Sequence, residues 1–191
     1  MTTAEPEIKA FKNAQKWRDW LKRNHSKSDG LWLQIFKKDS GEATVTYKEA
    51  LDEALCFGWI DGQKKSLDAA SFLQRFTPRR SRSIWSKINI GHTKRLIAEG
   101  RMEKAGQAQI DAAKEDGRWA RAYDAPSTSE TPADFLKELR KSKPAAAFFK
   151  TLNRANLYAI NWRLQTAKKP ETRAKRITDI VAMLARGEKF H

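Results

Sequence analysis

Apolar residues recur first at the spacing of a helix and then in a short continuous run, which predicts the first two elements. A helix is expected from an N-cap at Asn13 to about Asn24, because two tryptophans and Leu21 fall on one face of it. Residues 31–38 are rich in aromatic and branched apolar side chains and follow Gly30. They therefore predict a largely buried strand.

A second helix and further strands follow within the first 78 residues. Thr46 and Glu49 have the spacing of a capping box, which predicts the start of a helix. Asp61 and Gly62 form a dipeptide that favours a tight turn, so one short strand is expected to end before it and another to begin after it. Residues 70–78 alternate between apolar and polar and predict a strand that the final proline ends. Together these elements predict a small antiparallel sheet packed with helices.

Beyond residue 78 the pattern becomes helical. Ser83 is expected to cap a helix that begins near Ile84, and Asn89 to start the next helical segment. Residues 125–132 are rich in Ser, Thr and Pro and predict a linker. The fold class expected is α+β, with a mostly helical C-terminal region. The predicted core domain, linker and C-terminal region are residues 1–124, 125–132 and 133–191.

Positive charge is concentrated in two parts of the chain. The formal net charge is +15, and 191 residues with 40% hydrophobic side chains are enough for a packed core. Residues 63–104 hold eleven Lys and Arg against three Asp and Glu, and residues 141–191 hold twelve against three. Such blocks favour nucleic acid, anionic lipid headgroups or an acidic protein face as a partner, whereas solubility alone is the alternative reading.

Targeting signals and cysteine content bear on the cellular location of the protein. The N-terminal segment has acidic residues and no apolar stretch typical of an export signal, and no apolar run is long enough to cross a bilayer. Cys56 is the only cysteine, which excludes an internal disulfide. A cytoplasmic location is therefore expected.

Residues 74–89 bring four arginines close to aromatic and hydroxyl side chains. If a helix begins near Ile84, its free amide groups and the arginines would together bind phosphate or carboxylate. Alternatively, the arginines of an exposed linker pair with Asp52, Glu53 or Asp61, and Arg75, which lies within a strand, is a buried ion-pair partner. In that reading the tryptophans are core residues and Asn89 is only a helix cap. The candidate ligand-binding residues are Arg75, Arg79, Arg80, Arg82, Ser83, Trp85, Asn89, Trp59 and Asp61.

No catalytic signature in the sequence supports an enzyme. Cys56 lies on an apolar helix face and is expected to be a buried structural residue. The sequence has no histidine and carboxylate cluster with metal-ligand spacing, no glycine-rich phosphate loop and no nucleophile elbow. No cofactor, metal or catalytic residue is predicted.

Three blocks of sequence resemble a known bacterial family. In their order and spacing, residues 53–63, 74–89 and 100–119 are similar to the YdeI/OmpD-associated, or bacteriocin-protection, family. The resemblance is strong over residues 46–119 and looser over the helical C-terminus. It implies a role in tolerance of bacteriocins or cationic antimicrobial peptides and a link to an outer-membrane porin. It implies no reaction, cofactor or catalytic residue.

The expected function combines the charge pattern with this resemblance. We expect a non-enzymatic stress-tolerance or binding protein whose basic surface meets an anionic partner. The first alternative is a nucleic-acid-binding protein. The second is an enzyme with a pocket near Trp59 and Asp61.

Overall fold

The computed structural model describes residues 7–191, which form four strands, eight α-helices and one short 3-10 helix at Lys38–Ser40. The N-terminal segment whose sequence does not predict export lies partly in residues 1–6, outside this range. The strands are β1 Ile8–Ala10, β2 Leu31–Phe36, β3 Trp59–Ser66 and β4 Ser71–Pro78. The helices are α1 Ala14–Asn24, α2 Tyr47–Cys56, α3 Lys87–Ala98, α4 Lys104–Glu115, α5 Ala133–Leu139, α6 Lys143–Phe149, α7 Arg154–Gln165 and α8 Pro170–Ala185. The predicted α+β class, with a helical C-terminal region, is confirmed.

The sheet is mixed, in the order β1-β2-β4-β3. β4 pairs antiparallel with β2 and with β3, as expected from the sequence. β1, which the sequence analysis did not predict, pairs parallel with β2, so the sheet is not wholly antiparallel. A parallel neighbour needs a crossover connection, and α1 supplies it between β1 and β2.

The hairpin turn predicted at Asp61 and Gly62 is wrong, because β3 continues through it. Asp61 pairs with Phe76 and Lys64 pairs with Gln74, so two residues of β3 face one residue of β4. This is a β-bulge, which bends the strand and re-aims its side chains. The Gln74 side-chain amide holds the bulge by donating to the carbonyl of Gly62 at 2.9 Å.

Two local signals place the first helices where the sequence predicts them. The Asn13 side chain accepts from the backbone N–H of Lys16 at 3.0 Å, which caps α1. The capping box of α2 is present in full, with Thr46 and Glu49 each bound to the backbone of the other. Both helix starts are confirmed.

The chain divides into two compact units, and each has its own core. The first comprises the described part of Met1–Ser83 with Asn89–Trp119. Its core is centred on Trp17, whose ring lies 5.3 Å from that of Trp20 and 5.7 Å from that of Phe76. Offset and tilted aromatic pairs of this kind stabilise a core beyond their buried area.

The second unit comprises Ile84–Ile88 with Ala120–His191. In its core α5–α8 bury a group of apolar side chains that includes Phe135, Ile160 and Leu184. Among residues 7–191, no helix has the length and apolar character needed to cross a membrane. The predicted domain boundaries at residues 124 and 132 stay a prediction.

The helix start predicted near Ile84 is wrong. Residues 84 and 85 are not helical, and Ser86 forms a parallel bridge with Tyr123. The Tyr123 N–H donates to the Trp85 carbonyl at 3.0 Å, so α3 begins only at Lys87. A pairing with a residue 37 positions away therefore overrides the local helix signal.

Candidate anion-binding site

A cleft of about 740 Å³ lies on the face of the sheet that is turned away from the core of the first unit. Leu31, Leu33 and Phe76 point into that core, so the alternating neighbours Trp32 and Arg75 point to the opposite face. We call this cleft the basic cleft. Its charged and aromatic lining residues are Asp29, Trp32, Lys65, Arg75, Arg79 and Arg80.

Trp32 supports two of these cations. It is paired across the strands with Arg75, whose guanidinium carbon lies 5.9 Å from the centre of the indole. The Lys65 ammonium lies 4.5 Å from the same ring. Cations are attracted to the negative face of an aromatic ring, so Trp32 fixes both side chains at the floor of the basic cleft.

Arg75 is the most unusual member of the site. Its Nη1 is buried and has no hydrogen-bond acceptor among the described residues. Burial also lowers the pKa of Arg75, although a guanidinium remains protonated in proteins. A buried charged donor without an acceptor costs free energy, so an anion that filled the cleft would stabilise it.

Gly30 allows the chain to pass close to this guanidinium. Its φ is +119°, a conformation that residues with a side chain rarely adopt. A Cβ at this position would lie 2.5 Å from the Phe76 carbonyl oxygen and 3.0 Å from Arg75 Nη2. Any larger residue would therefore collide with β4 and with the Arg75 side chain.

The predicted arginine segment continues past the end of β4. Arg79 is buried, and its backbone N–H donates to the Gly58 carbonyl at 2.9 Å. Arg80 is exposed, and its backbone N–H donates to the Ser83 hydroxyl at 3.0 Å. Arg82 is exposed and does not line the basic cleft. Of the four arginines, three therefore line one cleft.

The acids predicted as alternative partners of these arginines bind other residues. Asp52 accepts two hydrogen bonds from Arg95, both 2.7 Å long. Asp61 accepts a hydrogen bond from the Tyr47 hydroxyl at 2.7 Å, and burial together with this bond raises the pKa of Tyr47.

Glu53 is likewise occupied. Its two carboxylate oxygens accept from Arg18 and Arg101, each at 2.6 Å. Within residues 7–191, no carboxylate lies at ion-pair distance from Arg75 or Arg80. The alternative in which Asp52, Glu53 or Asp61 pairs with these two arginines is therefore wrong.

Six predicted site residues do not line the basic cleft: Arg82 and Ser83, which follow it in the chain, and Trp59, Asp61, Trp85 and Asn89. Trp59 is buried in the core of the first unit, where its indole N–H donates to the His25 carbonyl at 3.1 Å. Asp61 is held by a tyrosine, as described above. Trp85 is buried and belongs to the second unit. Asn89 is the third residue of α3 rather than its cap, so the predicted helix N-terminus beside the arginines is also wrong.

Trp32, Lys65 and Asp29 were not among the predicted site residues. A signal for Trp32 exists in the alternation of residues 31–36, where three apolar side chains on one face leave Trp32 on the other. Lys65 has no such signal, because the bulge in β3 decides which face its side chain occupies.

Neither metal-ion nor thiol chemistry is favoured by the described residues. In residues 7–191, no three His, Cys, Asp or Glu side chains come together in a way that would hold a metal ion. Burial raises the pKa of Cys56 to about 11, so its thiol stays protonated at neutral pH.

Two known families match different parts of the chain. Residues 9–109 match a family described as a domain of unknown function (DUF8412). Residues 128–187 match the family described as bacteriocin-protection, YdeI or OmpD-associated. The predicted family is therefore confirmed, but the match lies in the C-terminal helices and outside the three sequence blocks that suggested it. No curated protein and no solved structure matches the chain.

Proposed function

We propose that this chain, which belongs to the family of the domain of unknown function (DUF8412) over residues 9–109, is a non-enzymatic binding protein for an anionic ligand. Residues 128–187 match the bacteriocin-protection, YdeI or OmpD-associated family. The domain match indicates a role related to bacteriocin protection. In our proposal the basic cleft of the first unit holds the ligand, and ligand binding serves tolerance of bacteriocins or cationic antimicrobial peptides.

The observation that carries this proposal is the buried Arg75 Nη1, which has no acceptor among the described residues. Leaving a buried donor unpaired costs roughly 1–3 kcal/mol, and more for a charged group. Phosphate and carboxylate groups present two oxygens that match the planar fork of a guanidinium. An anion in the cleft, which Arg75 lines, would compensate the charge of this guanidinium and lower that cost.

The surroundings of Arg75 support the same reading. Lys65 and Arg80 line the same cleft, and neither has a carboxylate at ion-pair distance among residues 7–191. Asp29 is the one acidic residue in the lining. The excess of positive charge attracts anions and raises their local concentration in the cleft.

Thermal unfolding in the presence of inorganic phosphate tests the proposal. Binding to the folded state stabilises it by about 2.7 kcal/mol when the ligand is present at a hundred times its Kd. The melting temperature should therefore rise with phosphate at constant ionic strength, and Arg75→Gln should remove that rise. The control Lys22→Gln removes a positive charge from an exposed position of α1 in the same unit and should leave the rise unchanged.

The relevant quantity is the shift caused by phosphate in each variant, because Arg75→Gln also alters stability by itself. Equal phosphate shifts in the native protein and in Arg75→Gln would refute the proposed site. The proposed site would also be refuted if phosphate raised the melting temperature of the native protein no more than sodium chloride does at equal ionic strength.

A further inference from the structure

Residues 188–191 lie against α7 of the second unit, and the end of α8 directs them there. The Gly187 N–H donates to the Leu184 carbonyl at 3.0 Å, and the Glu188 N–H donates to the Met183 carbonyl at 3.1 Å. With Gly187 at a φ of +73°, these two bonds form a Schellman motif, which ends a helix and turns the chain. The four residues that follow belong to no helix or strand.

Asn156 of α7 binds this segment through its backbone. The Asn156 side-chain amide donates to the His191 carbonyl at 3.2 Å, and the His191 N–H donates to Asn156 Oδ1 at 3.1 Å. Only 1% of Asn156 is exposed, and its amide also donates to Asn153 Oδ1 at 2.9 Å, which fixes its orientation. Because both bonds to the segment are made with backbone atoms, this contact does not depend on the side chain at that position.

Arg163 binds the aromatic side chain of the segment. It follows Asn156 by seven residues in α7, which places both on one face of the helix. The Arg163 guanidinium carbon lies 3.7 Å from the centre of the Phe190 ring, and that ring also packs against the core of the second unit. A cation is attracted to the face of an aromatic ring, so this contact selects an aromatic residue.

A cavity of about 280 Å³ adjoins the segment at Gly187 and Lys189. Phe148 and Leu152 contribute apolar side chains to its lining. A Cβ at Gly187 would lie 4.0 Å from the Phe148 ring, which is ordinary van der Waals contact. The chain itself has a glycine here, because the Schellman motif requires a positive φ. A separate segment is not joined to α8 and is free of that requirement, so an aliphatic side chain at this position would reach the cavity.

We infer that this face of α7 binds an extended segment of a partner protein, and that residues 187–191 close the site until such a segment displaces them. The partner segment has an aliphatic residue in the position of Gly187 and, three positions later, an aromatic residue in the position of Phe190. Both segments use Asn156 and Arg163, but only the partner adds the aliphatic contact. That contact offsets the advantage of the chain's own segment, whose tether gives it an effective concentration on the order of millimolar. The inference concerns the second unit and does not depend on the basic cleft.

Three acetylated peptides, added to the full 191-residue chain and followed by NMR, test this inference. The first, GEKFH, has the sequence of residues 187–191; the second, LEKFH, has leucine in place of glycine; and the third, LEKAH, also has alanine in place of phenylalanine. LEKFH should bind about tenfold more tightly than GEKFH, because it buries a leucine side chain, and about tenfold more tightly than LEKAH, which has no ring for Arg163. As LEKFH displaces the chain's own segment, the backbone N–H signal of His191 should move to the range of an exposed amide.

Substitutions in the chain separate closure of the site from recognition. Phe190→Ala weakens the chain's own segment, so LEKFH should bind this variant about tenfold more tightly than the native chain. Addition of Arg163→Gln to Phe190→Ala should weaken LEKFH binding about tenfold, whereas addition of Lys137→Gln, at an exposed position of α5, should leave it unchanged.

Equal affinities of the native chain for LEKFH and LEKAH would overturn the inference without any substitution in the protein. Equal affinities of the native chain and Phe190→Ala for LEKFH, or a His191 signal that does not move, would also overturn it. A dimer in analytical ultracentrifugation that Phe190→Ala abolishes would assign the site to a second copy of this chain instead of a partner protein.

Discussion

Replacement of Glu53 by glutamine should destabilise the first unit strongly. Glu53 lies in α2 with 5% of its surface exposed. Its carboxylate accepts from Arg18 of α1 and from Arg101, which follows α3, and both bonds are 2.6 Å long. Glutamine keeps the size of the side chain but loses the charge, so two guanidiniums would face a neutral amide.

The expected loss is about 3 kcal/mol of the free energy of unfolding. Removal of one partner from a buried ion pair typically costs about 3–5 kcal/mol, because the remaining charge stays desolvated. Here the lower end applies, since the Arg18 and Arg101 side chains are 23% and 36% exposed and keep bonds to Glu103 and Glu99. Partial contact with water and a second carboxylate reduce the penalty for each arginine.

Urea unfolding followed by tryptophan fluorescence measures this loss. The midpoint should fall while the m-value stays constant, because the surface exposed on unfolding does not change. Glu7→Gln is the control, since Glu7 pairs with Lys9 on an exposed surface and should cost less than about 1 kcal/mol. A loss below about 1 kcal/mol for Glu53→Gln would refute the assignment of these ion pairs as the link between α2 and its neighbours.

Two further measurements test local features of the first unit. Gly30→Ala should lower the free energy of unfolding by roughly 1–3 kcal/mol, because φ is +119° and the new Cβ would meet the Phe76 carbonyl. Gly91→Ala, within α3 and with open space around it, should instead raise that free energy by about 0.5–1 kcal/mol. Equal changes in the free energy of unfolding for the two variants in chemical denaturation would contradict the argument. Cys56 is buried and its pKa is raised to about 11, so iodoacetamide should not modify it in the folded protein at pH 8. In urea the same thiol should be modified. Rapid modification without denaturant would show that the thiol is accessible.

Several elements could be predicted from neighbouring residues alone. The start of α1 at Asn13 and that of α2 at Thr46 depend on side chains that bind backbone groups two or three residues away. The end of β4 at Pro78 has an equally local cause, because proline has no N–H to donate to a neighbouring strand. Such signals need no knowledge of the rest of the fold.

Other elements could not be predicted because the same local sequence pattern is compatible with two different structures. Asp61 and Gly62 favour a tight turn, but here the glycine belongs to a bulge in a continuous strand. The choice depends on pairing with β4, whose Gln74 holds the bulge. In the same way, Ser86 lies outside a helix because it pairs with Tyr123.

By itself, the sequence determined the α+β class, the first helix starts, the family and the concentration of arginines after residue 74. Only the tertiary structure decided which of those arginines are neutralised. Glu53 pairs with Arg18 and Arg101, whereas Arg75 lies against Trp32, and each of these partners is more than 30 residues away along the chain. Ion pairing falls off with distance through space, and separation along the chain does not reveal that distance.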